Sequence, residues 1–221
     1  MPERRPQQQR GHERRQTVVE GAARMFDRVG YGQASLSDIA REAGTTQGSL
    51  YFYFPSKEEL ALAVINEQGT RSIAALTAPT TAPSPFGGLV QASRAVAELL
   101  LTDPITRAGM RLSLEQGVIQ APTTAFHEQW IANVQERVQA SIELGELESE
   151  LDATVLARSF VAFFTGTQLI SSLLTGRSDL LSAVDAMWRL AVAAVIVVDR
   201  QPEVFAVLDE TFGAQAADSA H

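Results

Sequence analysis

From Ala153 to Thr175 the chain reads ATVLARSFVAFFTGTQLISSLLT, and Arg158 is its only charge. Wound as a helix, such a segment has no polar face to turn to water. A helix that is apolar on every side must be covered on every side. The segment 180–198, LLSAVDAMWRLAVAAVIVV, is nearly as apolar. In a chain of 221 residues with 45% hydrophobic content, two such helices near one end share a core. They also point to a second copy of the chain that covers what the core leaves open.

The rest of the chain follows the same 3.6-residue period. Val18, Val19, Ala22, Ala23, Phe26 and Val29 recur at three- and four-residue steps from His12 onward, and Gly30 and Gly32 end that helix. In ASLSDIAREAG, Ser35 caps a two-turn helix with Asp38 three residues on, Leu36, Ile39, Ala40 and Ala43 form its inner face, and Gly44 stops it. Ser56, with Glu59 as its partner, opens a longer helix that runs on to TAPTTAPSPF (77–86), where three prolines in ten residues break it. Phe126, Trp130, Val134, Val138 and Ile142 lie on one further stripe. No repeat and no convincing strand is present. The pattern predicts an all-α fold: a small three-helix head (12–56) and a larger helical body (57–213), with a disordered basic arm (1–11) before them and a disordered tail (214–221) after.

Composition narrows the function classes. Without cysteine, disulfides and thiolate metal sites are excluded. The first fifteen residues lack the apolar stretch of a secretory signal. The most strictly apolar run, LAVAAVIVV, is far short of the ~18 residues that span a bilayer. A soluble, cytoplasmic protein is expected. The net charge of −8 is unevenly spread: residues 1–60 carry nine basic and eight acidic side chains, and the first fifteen hold five arginines against two glutamates. A locally basic head on an acidic body is compatible with a polyanionic partner.

GTTQGSLYFYFPSK, 44–57, places four aromatic rings within five residues. Tyr and Phe favour strands, but no partner strand is nearby. As a helix, the segment has Thr45 or Thr46 as cap, Leu50 and Phe54 as an inner i, i+4 pair, and Pro55 as its stop. Tyr51 and Tyr53 then face outward. Two short helices joined by a tight glycine-containing turn form a helix-turn-helix, whose second helix enters the major groove. Its outer face would present Thr45, Thr46, Gln47, Ser49, Tyr51 and Tyr53, with Gly48 allowing close approach and Ser35 at the neighbouring helix start. Gln47 can pair bidentately with adenine and Thr46 can touch a thymine methyl, whereas tyrosine hydroxyls reach phosphates. Lys57, at the start of the next helix, adds a cation where a phosphate would sit.

The stretch from about Gln16 to Gln68, centred on SLSDIAREAGTTQGSLYFYFPSKEEL, resembles the DNA-binding domain of the tetracycline-repressor (TetR) family. That resemblance implies an all-helical homodimer with a DNA-reading head and a body that binds a small molecule. DPITRAGMRLSLE (103–115), FHEQW (126–130) and FFTGTQLISSLLTGRSDL (163–180) are similar to the γ-butyrolactone autoregulator receptors of Streptomyces. Those receptors often carry lysine where this chain has Gln47, so a different operator or affinity is implied. The same resemblance implies that Trp130 lies against the ligand and that Gln68 hydrogen-bonds a lactone carbonyl.

Apolar residues with a few polar interruptions are what a ligand pocket needs. Phe86, Met110, Leu114, Phe126, Phe163 and Phe164 are candidate walls, and Thr165, Thr167 and Gln168 are candidate polar points. Each could equally serve core packing. The three histidines, His12, His127 and His221, fit no zinc-protease spacing, and no phosphate loop or nucleophile elbow occurs. No enzyme activity, cofactor or metal is expected. The expected partners are operator DNA, a small lipophilic signalling ligand (a γ-butyrolactone, butenolide or furan) and a second copy of the chain, in control of secondary metabolism. The alternatives are a pseudo-receptor that answers an antibiotic or biosynthetic intermediate, and a helical carrier that does not bind DNA.

Overall fold

The computed structural model describes residues 4–115, 119 and 124–213. Ten α-helices follow in order among them: α1 (Arg4–Gln33), α2 (Leu36–Glu42), α3 (Gln47–Tyr53), α4 (Lys57–Thr77), α5 (Pro85–Thr102), α6 (Pro104–Leu114), α7 (Ala125–Glu143), α8 (Ala153–Thr175), α9 (Leu180–Val195) and α10 (Gln201–Phe212). A single isolated bridge, Leu147 to Ile196, is the only β pairing among the described residues.

Two compact units emerge. The first comprises residues up to Ser72 together with 102–126, and the second 73–101 with the residues from His127 onward. The division expected at residue 56 therefore falls elsewhere. Leu60, Ala61, Val64 and Ile65 of α4, with Ile105, Ala108 and Leu112 of α6, are buried in one cluster with Val18, Val19, Ala22, Ala23 and Phe26 of α1 and Leu50 and Phe54 of the α3 region. The head is thus a five-helix assembly: α1 with the two short helices α2 and α3 does not supply enough apolar surface to enclose Phe26 and Leu50.

The arm expected to be disordered over 1–11 is helical from Arg4 on. Gln, Arg and Glu are strong helix formers, and Pro6 falls in the first turn, where a missing N–H costs nothing. Residues 1–3 and the tail 214–221 lie outside the described residues. Inside α1, Gly30 takes φ +79, a left-handed conformation open to glycine at no steric cost; it bends the chain toward α2. Arg24 and Arg28 of α1 both reach Glu42 at the end of α2, at 2.9 and 3.1 Å. Their hydrogen bonds hold the Glu42 carboxyl below the usual carboxylate range.

In the second unit, Phe86, Phe160 and Trp188 form a triad with ring centroids 5.4–5.9 Å apart, Phe86 meeting both partners edge-on and Phe160 tilted against Trp188. The buried Glu146 carboxylate accepts from the Ser84 hydroxyl and from the Phe86 N–H at the start of α5. By length and composition alone, α8 is apolar enough to cross a membrane. Leu156, Phe160, Val161 and Phe164 turn inward on α8. Its other side leaves Leu169, Ile170, Leu173 and Leu174 exposed, the last at 78%.

Candidate functional site

Two places combine exposed or cavity-lining side chains with the chemistry the sequence suggests, one in each unit. The first is the α2–α3 pair. Ser35 begins α2: its hydroxyl accepts from the Asp38 N–H at 3.1 Å and donates to the Asp38 carboxylate at 2.6 Å. That bond, then Arg41, keeps the Asp38 carboxyl below its ordinary value. Thr46 caps α3 by accepting from the Ser49 N–H at 3.1 Å. Leu50 is fully buried and Phe54 is 3% exposed, so the rest of α3 is free to face out. Thr46, Gln47 and Gly48 are exposed, and Thr45, Ser49 and Tyr53 half-buried. Nothing stands within 4 Å of where a Gly48 side chain would begin.

Tyr51 is 47% exposed and Phe52 82%; the Phe52 ring meets Tyr53 edge-on at 5.1 Å. Phe52 was not among the candidates named above. The signal for it was present: it lies two residues from both Leu50 and Phe54, about 200° round a 3.6-residue helix from each. Held, among the described residues, only by that edge contact, the Phe52 ring stands at the outermost point of α3.

Lys57 is engaged inside the protein. Its ammonium donates to the carbonyl oxygens of Tyr31 at 2.7 Å and Ala34 at 2.9 Å and lies 4.3 Å from the Tyr31 ring centroid. Burial pushes its pKa below the usual lysine value. Two of its three protons thus clamp the turn between α1 and α2, leaving one for an outside partner.

The second place is a hollow in the second unit. It is lined by Leu76, Leu89, Ser93, Val96, Trp130, Val134, Phe160, Val161, Phe164 and Trp188 and has a volume of about 20 Å³. Trp130 packs edge-on against Phe164 at 5.5 Å. The lining is apolar except for the Ser93 hydroxyl and the indole N–H groups of Trp130 and Trp188. At this volume it has room for about one water and not for a ligand-sized molecule.

Of the candidate ligand residues, Trp130 and Phe164 line this hollow, and Phe86 stands behind it against Phe160 and Trp188. Phe163 faces outward at 42% exposure. Gln168 is buried, Thr167 half-buried, and the Thr165 hydroxyl is buried without a hydrogen-bond partner. Gln68, Met110, Leu114 and Phe126 belong to the first unit. There Met110 is buried, Leu114 is 39% exposed, and Phe126 packs over Gly69. Gln68 is fully buried; its amide nitrogen donates to the Ser72 hydroxyl at 2.9 Å and its Oε1 has no partner. Trp188 and Ser93 are the hydrogen-bonded pair of the lining that sequence reasoning passed over, since 95 positions separate them.

Comparison with known proteins accords with this geometry. Bacterial regulatory proteins of the tetR family match over residues 18–64, and the tetracyclin repressor-like C-terminal domain matches over residues 84–197. The A-factor receptor protein of Streptomyces griseus is 38% identical over 173 residues, 78% of this chain; the chain spans 60% of that receptor's length. The TetR family protein CprB from S. coelicolor A3(2) superposes with a TM-score of 0.78 at 26% identity, covering 92% of this chain and 98% of CprB. CprB has also been solved in complex with its biological operator sequence, with a TM-score of 0.76. A γ-butyrolactone receptor described as ArpA-like gives a TM-score of 0.78 at 25% identity over 93% of this chain and 99% of its own. With the C-terminal family domain alone covering more than half its length, the chain belongs to the tetR family of bacterial regulatory proteins.

Proposed function

We propose that this protein is a cytoplasmic transcriptional repressor that holds operator DNA as a homodimer and lets go when a small γ-butyrolactone-like molecule, a butenolide or a furan binds its body, so governing secondary metabolism. The observation that carries the DNA half is the outward face of α3, where Thr46, Gln47, Gly48, Tyr51 and Phe52 stand exposed on a helix pinned from behind by Leu50 and Phe54. Gln47 reads a base edge, and Tyr51, Tyr53 and the third proton of Lys57 meet phosphates. The ligand half rests on the apolar hollow at Trp130 and on likeness to proteins described as A-factor and γ-butyrolactone receptors.

The homodimer is supported by the outer faces of α8 and α9. Leu169, Ile170, Leu173, Leu174 and Leu190 are 44–78% exposed, a stripe of the kind that marks an interaction site. Two reading heads must then sit one helical turn of DNA apart, about 34–36 Å. A ligand that moves α4, which runs unbroken from Lys57 to Thr77, spoils both half-sites together. The coupling needed is of the usual allosteric size, roughly 1–3 kcal/mol.

The test is a gel shift with duplex selected from a random pool, followed by titration with γ-butyrolactones, butenolides and furans. Release by one class supports the reading. Selection of no duplex refutes the repressor, and a complex indifferent to all three refutes the receptor. Gln47→Ala should lower discrimination between selected and random duplex by about 5- to 150-fold, the equivalent of ~1–3 kcal/mol.

A further inference from the structure

Besides the Trp130 indole, the hollow holds one polar pair, Ser93 with Trp188, and the protons of that pair are already spent. The Trp188 indole N–H donates to the Ser93 hydroxyl oxygen at 2.7 Å, a fully buried bond. The Ser93 hydroxyl in turn donates to the Val90 carbonyl at 2.7 Å. A hydroxyl oxygen has two acceptor positions and one proton. Trp188 fills one position, Val90 takes the proton, and one acceptor position remains. No other hydroxyl, amide or charged side chain lines the hollow.

From this pairing we infer that Ser93 determines ligand specificity by demanding a donor: the molecule that opens the hollow is an apolar skeleton carrying a hydroxyl or N–H group directed at the Ser93 Oγ. This rests on the receptor reading above and narrows it. A ligand carbonyl at the same point would meet an oxygen lone pair and would displace either the Trp188 or the Val90 partner. A buried polar group left unpaired costs about 1–3 kcal/mol, or roughly 5- to 150-fold in affinity. Trp188 is the fixed side of the hollow, since Phe86 and Phe160 clasp its indole at 5.4 and 5.6 Å while Ser93 tethers its nitrogen. The Ser93 oxygen is therefore held in place when a ligand enters, as selective recognition requires.

The experiment compares two γ-butyrolactones that differ only in a free hydroxyl or its methyl ether on the ring substituent, titrated by intrinsic tryptophan fluorescence. The wild-type protein should bind the free hydroxyl at least about 5-fold more tightly. Ser93→Ala should bring the two dissociation constants together. Ser93→Cys, whose thiol is a weak acceptor of similar shape, should also bring the two constants toward each other, and it decides the matter if Ser93→Ala does not fold by circular dichroism. Equal binding of both lactones by the wild type overturns the inference and leaves the receptor reading standing, as does a preference that survives Ser93→Ala. Binding of neither lactone, with release by butenolides or furans also absent, refutes the receptor reading itself.

Discussion

Gly109 of α6 and Gln68 of α4 approach so closely that a methyl group on Gly109 would lie 2.3 Å from the Gln68 Cβ and 3.1 Å from the Val64 carbonyl oxygen. Backbone cannot give way as a side-chain tip does. Gly109→Ala must therefore push α6 away from α4 within the first unit. The expected loss is about 1–3 kcal/mol, visible in calorimetry as a lower unfolding temperature, by roughly 2–4 °C per kcal/mol for a chain of this size.

Gly48 is the opposite case. Its site is open and its conformation helical, so Gly48→Ala should stabilise the free protein by about 0.5–1 kcal/mol. The same methyl group lies on the face proposed to touch DNA. Thermal melting should rise while affinity for selected duplex falls; a rise in both would place Gly48 off the DNA.

Lys57→Ala removes two carbonyl bonds and, on the proposed function, a phosphate contact. Urea unfolding should show a loss of about 1–2 kcal/mol, because the carbonyls of Tyr31 and Ala34 lose their donor. The slope of log affinity against log salt should also become shallower by about 0.9, the value of one phosphate. An unchanged slope would assign Lys57 to the turn alone.

Asp103 caps α6, accepting from the N–H groups of Ile105 and Thr106 at 3.2 Å, and pairs with Arg71 of α4 at 3.0 Å. Burial pushes its carboxyl up, but the Thr106 hydroxyl and the Arg71 guanidinium outweigh it and hold the carboxyl below its ordinary value. Its folded-state pKa is thus lower than its unfolded one. The stabilisation is complete above the usual carboxylate value of about 4 and disappears as the pH falls through the lowered value. Asp103→Asn should be less stable at neutral pH by about 1 kcal/mol and should show a flatter decline in acid than the wild type, in denaturant melts across pH 2–7.

Local rules were enough for the small elements. Thr46, Leu50, Phe54 and Pro55 mark the cap, inner pair and stop of α3 within ten residues, and Asp152 and Gly176 bracket α8 at the ends its apolar run implies. What could not be read depends on distance along the chain. The carbonyls that hold Lys57 belong to residues 26 and 23 positions earlier, and nothing in the local sequence around a lysine at a helix start points to them. Helix α6 joins the head through Ile105, Ala108 and Leu112, which the intervening α5 separates from it in sequence. The Ser93–Trp188 bond spans 95 residues and leaves no spacing to notice. The N-terminal arm was misjudged for another reason: polarity was taken as disorder, although Gln and Arg are strong helix formers.

On the receptor reading proposed above, the small size of the 20 Å³ hollow sets a thermodynamic toll on signalling. A ligand of the usual kind needs about 300–1,000 Å³, so the conformer that receives it would be a minority state and the measured dissociation constant the intrinsic one divided by that state's population. Sensitivity to the signal is then tunable without touching a single ligand contact, by any change that makes the vacant room less costly to hold open.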